Sequence, residues 1–294
     1  MDWSYAQKEL SGCLLPLYGD REASIIADWV MEALSGMRRL DRLMVRATPL
    51  SDAELAGYER YKAQLLAHRP VQYVLGESWF AGMRFFVDER VLIPRPETEE
   101  LVEWVISEVA GAGAADAGPE RRGGEGRLLD VGTGSGCIAV TLARRLAGVG
   151  VVACDISEGA LAVARKNAAE LGAEVGFFEL DFLDRDAWER LPSLRWLVSN
   201  PPYIPVGERL AMARHVIDHE PASALFVPDG DALVFYRALG EFARERLGPG
   251  GSLFAEIHED LGPAVCDLLT ALGAREVHLR KDLQGKDRMI KAGW

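Results

Sequence analysis

Apolar residues in the first part of the chain recur at the spacing of helices. Two sets return every three or four positions, namely Ile25, Ile26, Trp29, Val30 and Ala33, and Leu55, Tyr58, Tyr61, Leu65 and Leu66. Ser51, followed three positions later by Glu54, is typical of a capping box at the start of the second helix. We therefore predict a helical N-terminal domain over residues 1–70.

The period of the apolar pattern changes over residues 71–93. Apolar positions that alternate, or that follow the glycine at position 82, are Val71, Tyr73, Leu75, Phe85, Val87 and Val91. Alternation is typical of strands, and a glycine between two such runs favours a turn. We expect a β-hairpin here, linking the helical domain to a second domain over residues 94–294.

Strands and helices alternate through this second domain. The predicted strands are Arg127–Val131, Val149–Cys154, Val175–Leu180, Arg195–Val198, Ser252–Ile257, Arg275–Leu279 and Arg288–Ala292. The predicted helices are a segment after Pro96, Cys137–Leu146, Glu158–Leu171, Ala232–Leu247 and Leu261–Leu272. This alternation predicts a doubly wound α/β domain, with an antiparallel pair at the end of a mostly parallel sheet. Residues 111–126, rich in glycine and alanine, are expected to form a flexible surface loop.

Composition narrows the choice of partners and compartment. The 294-residue chain has 33 Lys and Arg against 45 Asp and Glu, and its net charge of −12 disfavours an enzyme that grips nucleic acid. Its four cysteines are widely spaced, as in reduced cytosolic proteins. His215 and His219 lack a third ligand at metal spacing, so no metal is expected. Without a signal-peptide pattern or an apolar run of about 20 residues, we expect a cytoplasmic protein with no membrane contact.

A glycine-rich turn follows the first strand of the α/β domain. Asp130–Gly136 reads Asp-Val-Gly-Thr-Gly-Ser-Gly, a spacing that differs from that of dinucleotide-binding loops. Asp155 ends the next strand, where a carboxylate can accept hydrogen bonds from both ribose hydroxyls of a nucleoside. Asp181 and Phe182 end the third strand, where they can bind an adenine amino group and stack on the ring. The preferred cofactor is S-adenosylmethionine, because the acidic side chains suit its sulfonium cation; a turn without ligand is the alternative.

The most specific motif is Asn200-Pro201-Pro202-Tyr203. Two prolines cannot continue a central strand, so the chain must leave the sheet at its carboxyl edge, where ligands bind in open α/β folds. The side-chain oxygen of Asn200 and the carbonyl of Pro201 can accept both hydrogens of an NH₂ group, with Tyr203 against the flat group. This pair suits methyl transfer to a planar nitrogen, because it favours pyramidalisation and aims the lone pair at the methyl carbon.

Together these motifs resemble class I S-adenosylmethionine-dependent methyltransferases and, more narrowly, the peptide chain release factor N5-glutamine methyltransferase (PrmC/HemK) family. The segments that carry the narrower resemblance are Leu92–Glu99, Asp130–Gly136, Asn200–Ile204, Glu220-Pro221 and Phe235–Arg237. The resemblance covers nearly the whole length and implies a seven-stranded, Rossmann-like sheet joined to a small helical bundle. It also implies the activity: methylation of the side-chain amide nitrogen of the glutamine in the Gly-Gly-Gln motif of class I release factors.

The resemblance further implies which residues bind the ligands. The implied cofactor contacts are Gly132, Thr133, Gly134, Ser135, Gly136, Asp155, Phe182 and Asn200. The implied glutamine contacts, and hence the catalytic residues, are Asn200, Pro201, Pro202 and Tyr203. The N-terminal domain is implied to help hold the release factor, and we expect a monomer with no direct contact to nucleic acid.

Two other activities share the Asn-Pro-Pro-aromatic turn. One is methylation of a glutamine in another protein, such as a ribosomal protein. The other is methylation of adenine N6 in DNA, which needs a basic cleft and base flipping and is opposed by the net charge. A binding module without catalysis would leave Asn200 unexplained. Arg95 and Glu97 are candidates for the floor of the site, with an ion pair at the domain junction as the alternative, and His258 is a candidate for the rim.

Overall fold

The computed structural model describes residues 1–115 and 126–294, and these form two compact units. The first consists of Met1–Glu77 and Met212–His219, and the second of the described residues in Ser78–Ala211 and Glu220–Trp294. The α-helices are α1 (Trp3–Ser35), α2 (Arg39–Met44), α3 (Asp52–Leu66), α4 (Val71–Leu75), α5 (Pro96–Ala115), α6 (Cys137–Arg145), α7 (Glu158–Glu170), α8 (Arg214–Ile217), α9 (Ala222–Leu225), α10 (Val234–Arg246) and α11 (Gly262–Ala271). The strands are β1 (Ser78–Phe80), β2 (Met83–Phe85), β3 (Arg127–Val131), β4 (Gly150–Asp155), β5 (Val175–Glu179), β6 (Leu194–Ser199), β7 (Ile204–Pro205), β8 (Phe226–Val227), β9 (Leu247–Glu256), β10 (Glu276–Lys281) and β11 (Asp287–Gly293). Short 3₁₀ helices cover Arg185–Arg190 and Val206–Ala211.

The first unit is helical, as its sequence predicts. Its core is formed mainly by one face of α1 together with α3, and includes Leu10, Leu14, Ile26, Val30, Tyr58 and Leu65. The capping box of α3 is confirmed, because the Ser51 hydroxyl accepts from the Glu54 amide while the Glu54 carboxylate accepts from the Ser51 amide. These bonds satisfy backbone donors that the first turn of a helix otherwise leaves unpaired.

The strand predicted from the alternation of Val71, Tyr73 and Leu75 is wrong. These residues lie in the short helix α4, which is flanked by Pro70 and ends at Gly76 in the left-handed conformation (φ 71°). Five residues are too few to separate a period of two from a helical period. The helix is favoured because Val71 and Val74, three positions apart, both pack into the core of the first unit.

The hairpin is therefore shorter than predicted, with β1 paired to β2 across the turn at Ala81 and Gly82. The predicted loop at 111–126 is also partly wrong, because α5 continues as a helix as far as Ala115. Alanine is the strongest helix former and compensates for the interspersed glycines. The rest of that predicted loop, residues 116–125, lies outside the described residues.

The second unit is built on a seven-stranded sheet, which confirms the predicted fold class. Its strand order is β10-β11-β9-β6-β3-β4-β5, with β11 antiparallel to both of its neighbours and the other pairs parallel. Successive residues of β3 face opposite layers: Leu128 packs in the core with α5 and α6, and Leu129 in the core with α10 and α11. Burial on both faces explains the apolar runs of the central strands β3 and β6 in the sequence.

The order of the strands places one crevice at the centre of the sheet. From β3 the chain proceeds to β4 and β5 on one side, and then returns to β6 on the other side. Ligands of open α/β sheets bind at the carboxyl ends of the strands where this reversal occurs. The turns after β3 and β6, which hold the glycine loop and the Asn-Pro-Pro-Tyr motif, meet at this point.

Within the described residues, no helix is long and apolar enough to cross a membrane.

Candidate active site

The glycine loop begins where β3 ends. The amides of Gly132 and Thr133 both donate to the carbonyl of Cys154 at the end of β4, at 2.9 and 3.0 Å. Gly132 and Gly134 have positive φ angles of 71° and 53°, which side chains other than glycine rarely adopt. A Cβ atom built on either residue would meet no other atom within 4 Å, so the loop borders open space.

Asp155, predicted to bind ribose, also shapes this loop. Its Oδ2 accepts from the Gly134 amide at 2.9 Å, and its Oδ1 accepts from the Ser157 amide at 2.9 Å. Partial burial raises the pKa of this carboxyl, although the amide hydrogen bonds oppose the rise. Each carboxylate oxygen retains a further lone pair, so the group can hold the loop and still accept from a ligand.

Asp130 stabilises the glycine loop through buried hydrogen bonds. It is fully buried, and its Oδ2 accepts from the Thr133 hydroxyl at 2.7 Å and from the Ala139 amide at 3.2 Å. Burial raises the pKa of Asp130 to about 7. Thr133 and Ser135 are likewise buried, so their side chains lie within the protein and do not border the open space.

The turns after β3, β4, β5 and β6 enclose a cavity of about 240 Å³. Six of the predicted site residues line it: Gly132, Gly134, Asp155, Phe182, Asn200 and Pro202. The other predicted residues, Thr133, Ser135, Gly136, Pro201 and Tyr203, are not among its lining residues. The lining residues that sequence reasoning did not assign to the site include Arg90, Val91, Leu92, Ile156, Ser223 and Phe235.

Phe182 contributes to the cavity mainly as part of the core. Its side chain is only 5% exposed, and its ring packs against Trp188 and Phe242 with centroids 5.7 and 5.2 Å apart. Asp181, beside it, is exposed and also lines the cavity, while its Oδ1 accepts from the Leu183 amide at 2.9 Å. The acceptor predicted at this strand end is therefore available, whereas the Phe182 ring is almost entirely buried.

The Asn-Pro-Pro-Tyr turn is tied to a buried carboxylate that sequence reasoning missed. The Nδ2 of Asn200 donates to the Thr98 hydroxyl at 3.1 Å, and that hydroxyl donates to Glu256 Oε2 at 2.6 Å. The Tyr203 hydroxyl donates to Glu256 Oε1 at 3.2 Å. Thr98 lies in the Leu92–Glu99 segment that carries the family resemblance, and Glu256 is the last residue of β9. A carboxylate at the end of a strand was the signal that could have identified Glu256 from the sequence.

Arg95 forms an ion pair within the second unit. Its guanidinium lies 2.7 Å from Glu220, whose other oxygen accepts from the Ile93 amide at 3.2 Å. The buried Glu220 thereby fastens the segment that leads into α5. Glu97 instead accepts from Gln284 on the surface at 3.3 Å. The ring of His258 packs against the ring of Tyr203, at 5.8 Å between centroids.

Comparison with known proteins decides the family. Residues 11–76 match the family "PrmC N-terminal domain" and residues 119–241 match "Methyltransferase small domain". A release factor glutamine methyltransferase of Flavobacterium psychrophilum is 37% identical over 281 residues, covering 96% of this chain and 95% of the relative. Another, of Bacteroides thetaiotaomicron, is 40% identical over 279 residues and covers 95% of each chain. This chain belongs to the release factor glutamine methyltransferase family.

One solved structure shares the fold of this protein. The hMettl16 catalytic domain, in complex with MAT2A 3'UTR hairpin 6, gives a TM-score of 0.52 and covers 83% of this chain and 82% of that chain. Its sequence is 16% identical, so the likeness concerns the fold alone. The segments that carried the family resemblance in the sequence converge here, because Leu92, Pro221 and Phe235 all line the cavity.

Proposed function

We propose that this protein transfers a methyl group from S-adenosylmethionine to the side-chain amide nitrogen of the glutamine in the Gly-Gly-Gln motif of class I release factors. One observation carries the proposal: Asn200 and Pro202 line the same cavity as Gly132, Gly134 and Asp155. A methyl donor held by the glycine loop and an amide held by the Asn-Pro-Pro-Tyr turn would therefore meet in one enclosed space. Membership of the family supports the choice of substrate.

The residues around the cavity fit the cofactor. Gly132 and Gly134 leave space that any Cβ atom would fill, which allows a ligand to approach the backbone. Asp155 and Asp181 both line the cavity, and they would accept from the ribose hydroxyls and from the adenine amino group, respectively. The remaining predicted contacts, Thr133, Ser135 and Gly136, would act by shaping the loop, because the first two side chains are buried. Bound S-adenosylmethionine supplies an activated methyl group on a positively charged sulfur.

The turn after β6 would orient the glutamine. Asn200 Oδ1 and the Pro201 carbonyl would accept the two amide hydrogens and leave the nitrogen lone pair free to attack the methyl carbon. Pro202 and Tyr203 would confine the flat amide. The amide nitrogen would take up the methyl group as that group's bond to sulfur breaks with its electron pair left on sulfur, and one amide proton would pass to water. Most of the rate would come from positioning the two groups.

The helical first unit would help to hold the protein substrate. Three apolar side chains on α2, those of Leu40, Leu43 and Met44, are 78%, 55% and 88% exposed. Arg38 and Arg39 beside them are also exposed. Large apolar groups in water are typical of surfaces that bind partners. We expect the double variant Leu40→Ser/Met44→Ser to raise the KM for the release factor, with the KM for S-adenosylmethionine unchanged.

A transfer assay with labelled S-adenosylmethionine tests the function. The acceptors are an unmodified class I release factor, the same factor with its Gly-Gly-Gln glutamine changed to glutamate, ribosomal proteins, and duplex DNA. We expect label only in the first acceptor, with the extra methyl mass on the Gly-Gly-Gln peptide. Equal label in the glutamate variant, or label confined to ribosomal proteins or DNA, would contradict the proposal.

A further inference from the structure

Glu256 is a buried carboxylate with two hydroxyl partners. Its residue is only 2% exposed, and its two side-chain oxygens accept separately from Thr98 and Tyr203. The Tyr236 hydroxyl donates to its backbone carbonyl at 3.2 Å. Burial of a charge is costly, and apolar side chains would fill the same space at less cost. A carboxylate kept here therefore indicates a task beyond packing.

With Glu256 ionised, as its two hydroxyl donors favour, the hydrogens in this network have one consistent direction. An ionised carboxylate only accepts, so the single hydrogen of Thr98 Oγ1, 2.6 Å away, points to Glu256. The Thr98 oxygen is then left with lone pairs alone toward Asn200, at 3.1 Å. It can accept from Nδ2 of Asn200 but would repel Oδ1. The amide nitrogen of Asn200 is thus turned to Thr98, and its oxygen points away from Thr98.

The same carboxylate also holds the far end of the turn. Tyr203 gives its hydroxyl hydrogen to Glu256 Oε1, so the residues at both ends of the Asn-Pro-Pro-Tyr motif are fastened to one group. Burial raises the pKa of the Glu256 carboxyl and Glu97 adds to the rise, whereas the hydrogen bonds from Thr98 and Tyr203 and the charge of Arg288 favour the ionised form. Thr98 lies on α5 and Glu256 at the end of β9. Residues of α5 and β9 pack in the same core, which fixes the two elements relative to each other.

We propose that Glu256, acting through Thr98, orients the Asn200 amide so that its oxygen faces the substrate amide, which makes Glu256 and Thr98 positioning residues of methyl transfer. The inference depends on the proposed function, since it assigns the residues that make Asn200 an acceptor. It also explains selectivity for an NH₂ group. If the Asn200 amide were reversed, its NH₂ group would face the NH₂ group of the substrate glutamine, and the glutamine amide would not bind.

Glu256→Gln tests the direction of the network at nearly constant volume. Its new NH₂ group would donate to one of the two hydroxyls. At Thr98 it turns the Thr98 hydrogen to Asn200 and reverses the amide, and at Tyr203 it removes the hydrogen bond that holds the other end of the turn. Thr98→Val removes the intermediary and keeps the shape, and Thr98→Ser restores the hydroxyl as the matched control. We expect both disruptive variants to lower kcat on the release factor by about tenfold or more, and Thr98→Ser to stay within about threefold of wild type.

Three further measurements separate positioning from general damage. Calorimetric titration with S-adenosylmethionine should give dissociation constants within about threefold of wild type for every variant, a change of less than 1 kcal/mol. The KM for the release factor should change less than kcat. In an Asn200→Ala background, Thr98→Val should cause almost no further loss, because two residues that act through one group are not additive.

The outcomes distinguish this inference from the proposed function. A wild-type protein that binds S-adenosylmethionine but does not methylate the release factor would overturn both. An active wild type whose Glu256→Gln and Thr98→Val variants keep kcat within about twofold would overturn the positioning role alone. So would losses that Thr98→Ser shares equally, or that follow the loss of cofactor binding. If Glu256→Gln does not fold, Thr98→Val and its serine control decide the question.

Discussion

Asn167 and Ser135 are joined by a hydrogen bond of 2.8 Å, from the side-chain amide of the first to the backbone carbonyl of the second. The same Asn167 side chain pairs with both backbone groups of Phe86, accepting from its amide at 2.7 Å and donating to its carbonyl at 2.9 Å. One buried residue of α7 thus ties the glycine loop to the chain that follows the hairpin. That chain goes on to Arg90, Val91 and Leu92, which also line the cavity.

Replacement of Asn167 by alanine should loosen the cofactor side of the site. The change leaves buried backbone groups of Ser135 and Phe86 without partners, so we expect about 2–4 kcal/mol less free energy of unfolding in urea. Affinity for S-adenosylmethionine should fall about tenfold by calorimetry. Glu170→Ala, an exposed change on the same helix, is the control. Unchanged affinity in a folded Asn167→Ala protein would contradict the role.

Two glycines of the loop should respond differently to alanine. Gly134 borders open space, so Gly134→Ala should keep the fold, apart from about 1 kcal/mol for its positive φ, and lose at least about tenfold in cofactor affinity. At Gly136 the new Cβ would lie 3.1 Å from the Cβ of Ala164, so Gly136→Ala should lower the melting temperature clearly. Gly230→Ala, with no positive φ and no atom within 4 Å of a Cβ, is the control. Equal changes in cofactor affinity and in melting temperature in the two loop variants would refute the distinction.

Asp130 should give a measurable pH dependence to stability. Its carboxyl has a pKa of about 7 in the folded protein, against 3.8 for an ordinary aspartate, because it is fully buried. Between these pH values the folded protein holds a proton that the unfolded chain has released. Raising the pH through this window therefore lowers the contribution of Asp130 to the free energy of unfolding, and above about 7 the contribution stays level.

The variant Asp130→Asn isolates that contribution. The difference in unfolding free energy between wild type and variant should fall by a few kcal/mol from pH 4 to 7, measured by urea denaturation at each pH. The exposed Glu179→Gln serves as control and should show no comparable slope. A difference that is flat across this window, or that rises with pH, would show that burial does not control the proton on Asp130.

Removal of the Asn200 side chain should separate cofactor binding from turnover. Asn200→Ala loses an acceptor for the substrate amide, so we expect kcat on the release factor to fall about 100-fold or more. The affinity for S-adenosylmethionine should change little, because the glycine loop and Asp155 are intact. Pro205→Ala, in β7 directly after the Asn-Pro-Pro-Tyr motif and not among the lining residues of the cavity, is the matched control. Turnover equal to that of the wild type would refute the role of Asn200 as acceptor.

The local pattern of apolar residues, glycines and prolines was sufficient to predict most strands and helices of the second unit. The strands from β3 onward were predicted to within a few residues, apart from the longer β9 and the two-residue β7 and β8. The central strands β3 and β6 are buried on both faces and are therefore apolar, and glycine or proline marks where they end. Short segments were less secure: Val71–Leu75 alternates in sequence but is helical, since packing of Val71 and Val74 decides between periods that five residues cannot separate.

The sequence by itself determined the order of strands and helices, the glycine loop after β3 and the proline turn after β6, because each depends on neighbouring residues. Only the tertiary structure decided which side chains reach the cavity. It buried Thr133 and Ser135, and it joined Asn200 to Thr98 across 102 positions of the chain and Thr98 to Glu256 across 158. Such pairs leave no local period, because their geometry arises only when α5, β6 and β9 pack together.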